Sequence, residues 1–144
     1  MKKSISAFLA LIFIALSFIH FYWVLGGHWA FNNAIPTNEN GQKVLAPSNI
    51  DTIIVGGILL LFALIYLSQI AFINLKFPDW LIKYATFFIP VVFILRAIGD
   101  FKYVGFLKSV VNTEFSYMDT FFYSPLCLVI GFSGLIIKLL NKQL

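Results

Sequence analysis

Cysteine, arginine and charge of either sign are all scarce in this chain. Cys127 stands alone, so no intrachain disulfide, CxxC redox pair or zinc knuckle can form. Its place in an apolar run reads as a small buried hydrophobe. Charged residues make up 11% of the 144 residues, against about 25% in a typical soluble domain. The net charge of +4 and pI near 9.3 come from lysines scattered between hydrophobic blocks, which is not the clustered stripe of a nucleic-acid binder. Gly-rich phosphate loops, HExxH and a nucleophile elbow are all missing, and the two histidines show no metal-ligand spacing; no cofactor or metal is expected.

What is present is apolar: 60% of residues are hydrophobic, seventeen are phenylalanine, and the mean hydropathy is +0.92. A chain of this length forms one domain and cannot cover that much apolar side chain with its own surface, so lipid must do so. Four segments have the roughly 20 apolar residues that cross a bilayer core: about 5–25, 52–73, 81–98 and 121–140. None alternates in polarity, which excludes a barrel. Lys2-Lys3 and the first apolar run resemble a secretory signal, yet the run exceeds a signal core of roughly 7–15 residues and no A-x-A site follows. It is read as an uncleaved first span.

The expected fold is therefore all-α, an up-down-up-down four-helix membrane bundle, with outer loops 26–51 and 99–120 and a short inner loop 74–80. With the amino terminus inside, the inner side holds Lys2, Lys3, Lys76, Lys83, Lys138 and Lys142 against Lys43, Arg96, Lys102 and Lys108 outside. That bias places both termini in the cytoplasm. Trp23, Trp29 and Trp80 fall at the expected water boundaries. Ser48-x-x-Asp51 and Ser116-x-x-Asp119 have the form of helix caps, and Asp79 after Pro78 could cap span three. Lys76, Lys138 and Lys142 lie near expected helix carboxyl ends, where the dipole favours cations.

Asp100 resists such a reading, because it follows a helix carboxyl end where the dipole opposes an anion. Arg96 stands at i−4, on the same face if the helix continues. The pair is either a structural clasp or half of a ligand site whose guanidinium fork meets a carboxylate or phosphate. The topology brings His20, His28, Trp29, Arg96, Asp100, Tyr103, Asp119 and Tyr123 to one outer mouth. A small amphiphile, lipid headgroup or partner helix bound there would use Arg96 and Asp100, with Trp29, Tyr103 and Tyr123 as walls. The alternative is a membrane enzyme acting on a lipid-soluble substrate, with His20 or His28 as acid or base and Asp119 or Asp100 as its partner. Pro90 and Pro125 can kink spans three and four, and Gly56, Gly57, Gly131 and Gly134 permit close helix contacts within the chain or in a homo-oligomer. Four helices leave little room for a pore.

The segments "HFYWVLGGHWAF", "LRAIGDFKYVGFLKSV" and "DTFFYSPLCLVIG", in that order, resemble a family of small bacterial integral membrane proteins catalogued as a domain of unknown function, number three-nine-nine-five. The resemblance runs over essentially the whole chain. It implies a four-helix protein of the bacterial cytoplasmic membrane and supplies no activity, cofactor or catalytic residue.

Overall fold

The computed structural model describes residues 1–70 and 75–142. Among them the regular elements are helical: α1 (Lys2–Val24), the single-turn α2 (Phe31–Ala34), α3 (Asn49–Leu67), α4 (Asp79–Ile98), α5 (Glu114–Met118), a π-helical turn (Asp119–Tyr123) and α6 (Ser124–Lys142). Helices α1, α3, α4 and the continuous run from Glu114 to Asn141 are each long and apolar enough to cross a membrane. Only 22–33% of each span's most apolar window is buried inside the chain, so most of its Phe, Leu and Ile side chains require an apolar solvent. This is a multi-pass membrane protein.

The chain pairs α1 with α3 and α4 with α6, and α1 also packs on α6. Ser17 of α1 donates to the Gly56 carbonyl of α3 at 2.8 Å, a close approach that a side chain at Gly56 would crowd against His20 and Phe21. In the second pair, Gly131 and Gly134 lie against Ile94 and the Pro90 ring, and Lys138 Nζ reaches the Lys83 carbonyl at 3.0 Å. Three of the four glycines considered as helix-contact positions thus pack within the chain, while Gly57 meets open space. The core between the pairs is built around Phe13, which stacks on Tyr66 and meets Phe62 and Phe93, with Leu9, Ile89, Ile130 and Ile137 buried around it.

Helix ends depart from the sequence expectations in instructive ways. Ser48 and Asp51 form the expected capping box: Ser48 Oγ accepts from the Asp51 N–H, and the Ser48 N–H donates to Asp51 Oδ2. Asp79 makes no side-chain cap; Pro78 occupies that position and Asp79 contributes only its charge to the first turn. Helix α3 stops at Leu67, so Lys76 lies too far beyond it to complement its dipole; residues 71–74, which include the expected end of span two, and the Lys142 side chain fall outside the described set. The last span begins at Glu114 rather than Phe121, because Thr113 caps it by accepting from the Ser116 N–H at 3.0 Å. Asp119, expected as a cap, is therefore inside the helix.

Candidate functional site

The distal turn of the last span widens where a proline follows. In a regular helix the Pro125 ring would strike the carbonyl of Phe121 and could not donate to it. The π turn over Asp119–Tyr123, in which the Ser124 N–H donates to the Asp119 carbonyl, ends two residues before Pro125 and absorbs that conflict. Asp119 on this turn is completely buried.

A buried carboxylate must be surrounded by donors. Arg96 Nη2, from the last turn of α4, lies 2.9 Å from Asp119 Oδ1. The Gly105 N–H donates to Oδ2 at 2.7 Å, and Lys108 Nζ lies 3.2 Å from the same oxygen. Lys108 is itself buried, its side chain 2% exposed, and it also donates to the Gly105 carbonyl at 2.9 Å and to Thr120 Oγ1 at 2.7 Å. Two cations thus share one carboxylate, giving the cluster a formal charge of +1.

Arg96 does not pair with Asp100. Helix α4 ends at Ile98, and Gly99, at φ +100°, turns the chain back. Asp100 Oδ1 then accepts from the backbone N–H groups of Lys102, Tyr103 and Val104 at 2.9, 2.7 and 2.9 Å. Slight burial pushes its carboxyl up, but the Val104, Lys102 and Tyr103 N–H groups outweigh this and hold it below the usual range. Phe106 and Leu107 return to donate to the Ala97 and Ile98 carbonyls, satisfying the helix end. Gly99 and Gly105 meet back to back: a Cβ on Gly99 would collide with the Val104 carbonyl, and one on Gly105 with Gly99. The stretch from Arg96 to Phe106 is a folded-back cap whose product is the Gly105 N–H aimed at Asp119.

The other polar candidates lie apart. Among the described residues, no hydrogen bond, ion pair or ring contact joins Trp29 or either histidine to Arg96, and neither histidine bonds to a carboxylate. Trp29 is 69% exposed and accepts from the Trp23 indole N–H at 2.8 Å. His28 is exposed in the turn after α1, where the Gly27 backbone lies against the Tyr22 ring. Tyr103 stacks under Lys102, and Tyr123 belongs to the π turn beside Asp119. His20 lines a separate cavity of about 400 Å³ between α1, α3 and the loop that follows α2. That loop is held down by the Val44 N–H to the Pro36 carbonyl, and by Lys43 Nζ to Asn32 Oδ1, both 2.8 Å. Since α2 packs on α5, cavity and charge cluster occupy the same end of the helices.

With this geometry in hand, the profile of the family described as "Protein of unknown function (DUF3995)" matches residues 13–133. The chain belongs to this family. No curated protein and no solved structure matches it. The matched stretch contains Arg96, Gly99, Gly105, Lys108 and Asp119, and also His20 and Asp51 on the cavity wall. Lys108 was not legible as a site residue, since a lysine in a polar loop reads as an outer topology charge. The signal for it was indirect: a carboxylate six residues before a helical proline, with only one arginine in the chain to neutralise it.

Proposed function

We propose that the protein sits in the cytoplasmic membrane of a bacterium, both termini inside, and binds the phosphate headgroup of an anionic lipid at Arg96. The lysine bias between the chain ends and the long loops supports the orientation. The observation that carries the binding reading is the unspent charge and donor capacity of the cluster. Of the five N–H donors of a guanidinium, Arg96 uses one toward Asp119; its Nη1 is buried without a partner, and the rest of the side chain keeps 33% of its surface exposed at the edge of the cluster. Lys108, fully enclosed, cannot serve an external anion; Arg96 at the edge of the same cluster can. Its planar fork suits phosphate oxygens, and at a bilayer boundary lipid phosphates supply them at high local concentration.

The test is native mass spectrometry of the full chain in nanodiscs containing phosphatidylglycerol and phosphatidylcholine. The wild type should retain phosphatidylglycerol selectively, and Arg96→Ala should lower that retention roughly tenfold, the value of a charge-assisted hydrogen bond or two. Because Lys108 and Gly105 still hold Asp119, this variant should fold. Equal retention of the two lipids by the wild type, or selectivity unchanged in Arg96→Ala, would sink the reading.

A further inference from the structure

The cavity beside α1 and α3 has a one-sided chemistry. Its walls are mainly apolar, with Trp23, Phe31, Leu45 and Val55 among them, and its polar side chains are His20, Asp51, Thr52 and the Trp23 indole. None of these presents a hydrogen to the cavity: the donors are turned elsewhere and the Asp51 carboxylate has none. His20 Nδ1 lies 2.8 Å from the Leu16 carbonyl, and a carbonyl can only accept, so Nδ1 carries the hydrogen. In its neutral form such a ring holds a lone pair on Nε2, which has no partner among the described residues. Thr52 Oγ1 donates to the Ser48 carbonyl at 3.0 Å, and the Trp23 indole N–H donates to the Trp29 carbonyl. Asp51 accepts twice from Ser48 through Oδ2, and its Oδ1 has no partner among the described residues. The polar side chains of the wall therefore offer acceptors and no donors. No side chain of this wall donates to an anion, and Asp51 repels one, so this cavity and the Arg96 cluster select for different ligands.

We infer that this cavity binds a small, uncharged apolar molecule carrying one hydrogen-bond donor, of the phenol or alcohol type, with Nε2 of His20 accepting the hydroxyl hydrogen. About 400 Å³ is within the range of small-molecule sites, which combine apolar walls with a few orienting polar groups. The aromatic walls accommodate a ring, and the position between two membrane helices gives access to molecules dissolved in lipid.

The test compares 4-butylphenol with 4-butylanisole, which has the same shape but lacks the donor. Binding to the full chain in nanodiscs is followed by Trp23 fluorescence after Trp29→Phe and Trp80→Phe, with partition into empty nanodiscs subtracted. The phenol should bind roughly 3- to 10-fold tighter than the ether, the value of one neutral hydrogen bond. His20→Phe should reduce phenol affinity to that of the ether, and Val55→Trp, which fills the cavity from α3, should abolish saturable binding of both. Equal affinities in the wild type would remove His20 as the recognition group; this comparison needs no variant at the imidazole. Lack of saturable binding by either compound, or binding that survives Val55→Trp, would overturn the cavity assignment.

Discussion

The charge cluster at the α4–α6 end encloses a carboxylate in donors: Arg96, Lys108 and the Gly105 N–H all converge on Asp119. The cavity beside α1 and α3 is its inverse, an opening whose polar side chains present only acceptors. In the cluster, Asp119 and Lys108 are buried and all contacts converge on the one carboxylate, so the region gains rigidity at the risk of collapse if that carboxylate is lost. In the cavity, the polar groups are satisfied locally, each within three to six residues of chain. The lesson is that polarity near the end of a membrane helix is locked into structure where its hydrogen bonds close on one another, and leaves atoms open where they do not, as at the exposed edge of Arg96.

The sharpest way to break this contrast is at Asp119. Asp119→Ala leaves Lys108 buried beside no carboxylate, a loss of about 3–5 kcal/mol by the usual cost of orphaning a buried charge. The expected result is little or no monodisperse protein after extraction. Lys108→Met removes the surplus cation and keeps the Arg96–Asp119 pair, so it should be distinctly milder when the two are compared by thermal unfolding in the same detergent. If both variants unfold at the same temperature, the cluster is not organised around its carboxylate. Next in size is Gly99→Ala, which combines a positive φ with collision against the Val104 carbonyl. The backbone penalty alone is about 1–3 kcal/mol. Unfolding temperature should fall clearly, and a variant as stable as the wild type would show that the folded-back cap does not hold the site together.

The cavity side should respond more weakly. Ser48→Ala removes one half of the capping box at the start of α3, which costs typically about 1 kcal/mol. The chain should remain folded, with a modest drop in unfolding temperature, and the Asp51 carboxylate, still held by the backbone N–H of residue 48, should leave the preference for phenol over ether intact or enlarge it. Loss of that preference with the protein still folded would mean that Asp51, rather than His20, orients the ligand.

How far the residues announced all this differs between the two regions for physical reasons. The four spans were legible because about twenty apolar residues at 1.5 Å per residue match the hydrocarbon thickness, a constraint that overrides detail. The capping box of Ser48 and Asp51 was legible because it is local. Ser116-x-x-Asp119 has the same local form, yet Thr113 captured the helix start and the turn before Pro125 carried Asp119 into the interior. That outcome rests on a proline downstream and on partners 11 and 23 residues upstream, which no local pattern contains. The Arg96–Asp100 pairing was misread for a related reason: i,i+4 proximity assumes a helix, and Gly99 ends it. The cavity was the least legible feature, since its roof comes from the loop between α2 and α3 and its chemistry depends on which hydrogen each side chain has already given away.

The smallest effect concerns Asp100, and it separates a turn that organises the cluster from one that merely neighbours it. The Asp100 carboxyl is held below its usual value of 3.8 in the folded chain, by backbone N–H groups that outweigh the opposing effect of slight burial. For an acid with a lowered folded pKa, the unfolded chain takes up the proton first as pH falls. The contribution to stability is therefore complete above the unfolded value and is lost as pH drops through the folded one. Because the group is exposed and screened, this amounts to less than about 1 kcal/mol. Asp100→Asn keeps an acceptor oxygen but no charge, so it should unfold slightly earlier than the wild type at pH 6. The gap should narrow progressively as the comparison is carried down in pH from 3.8, the unfolded value, through the lower folded one. A gap that persists at low pH would assign the role of Asp100 to side-chain shape rather than to its ionised carboxylate, and would detach the turn's electrostatics from the position of the Gly105 N–H at Asp119.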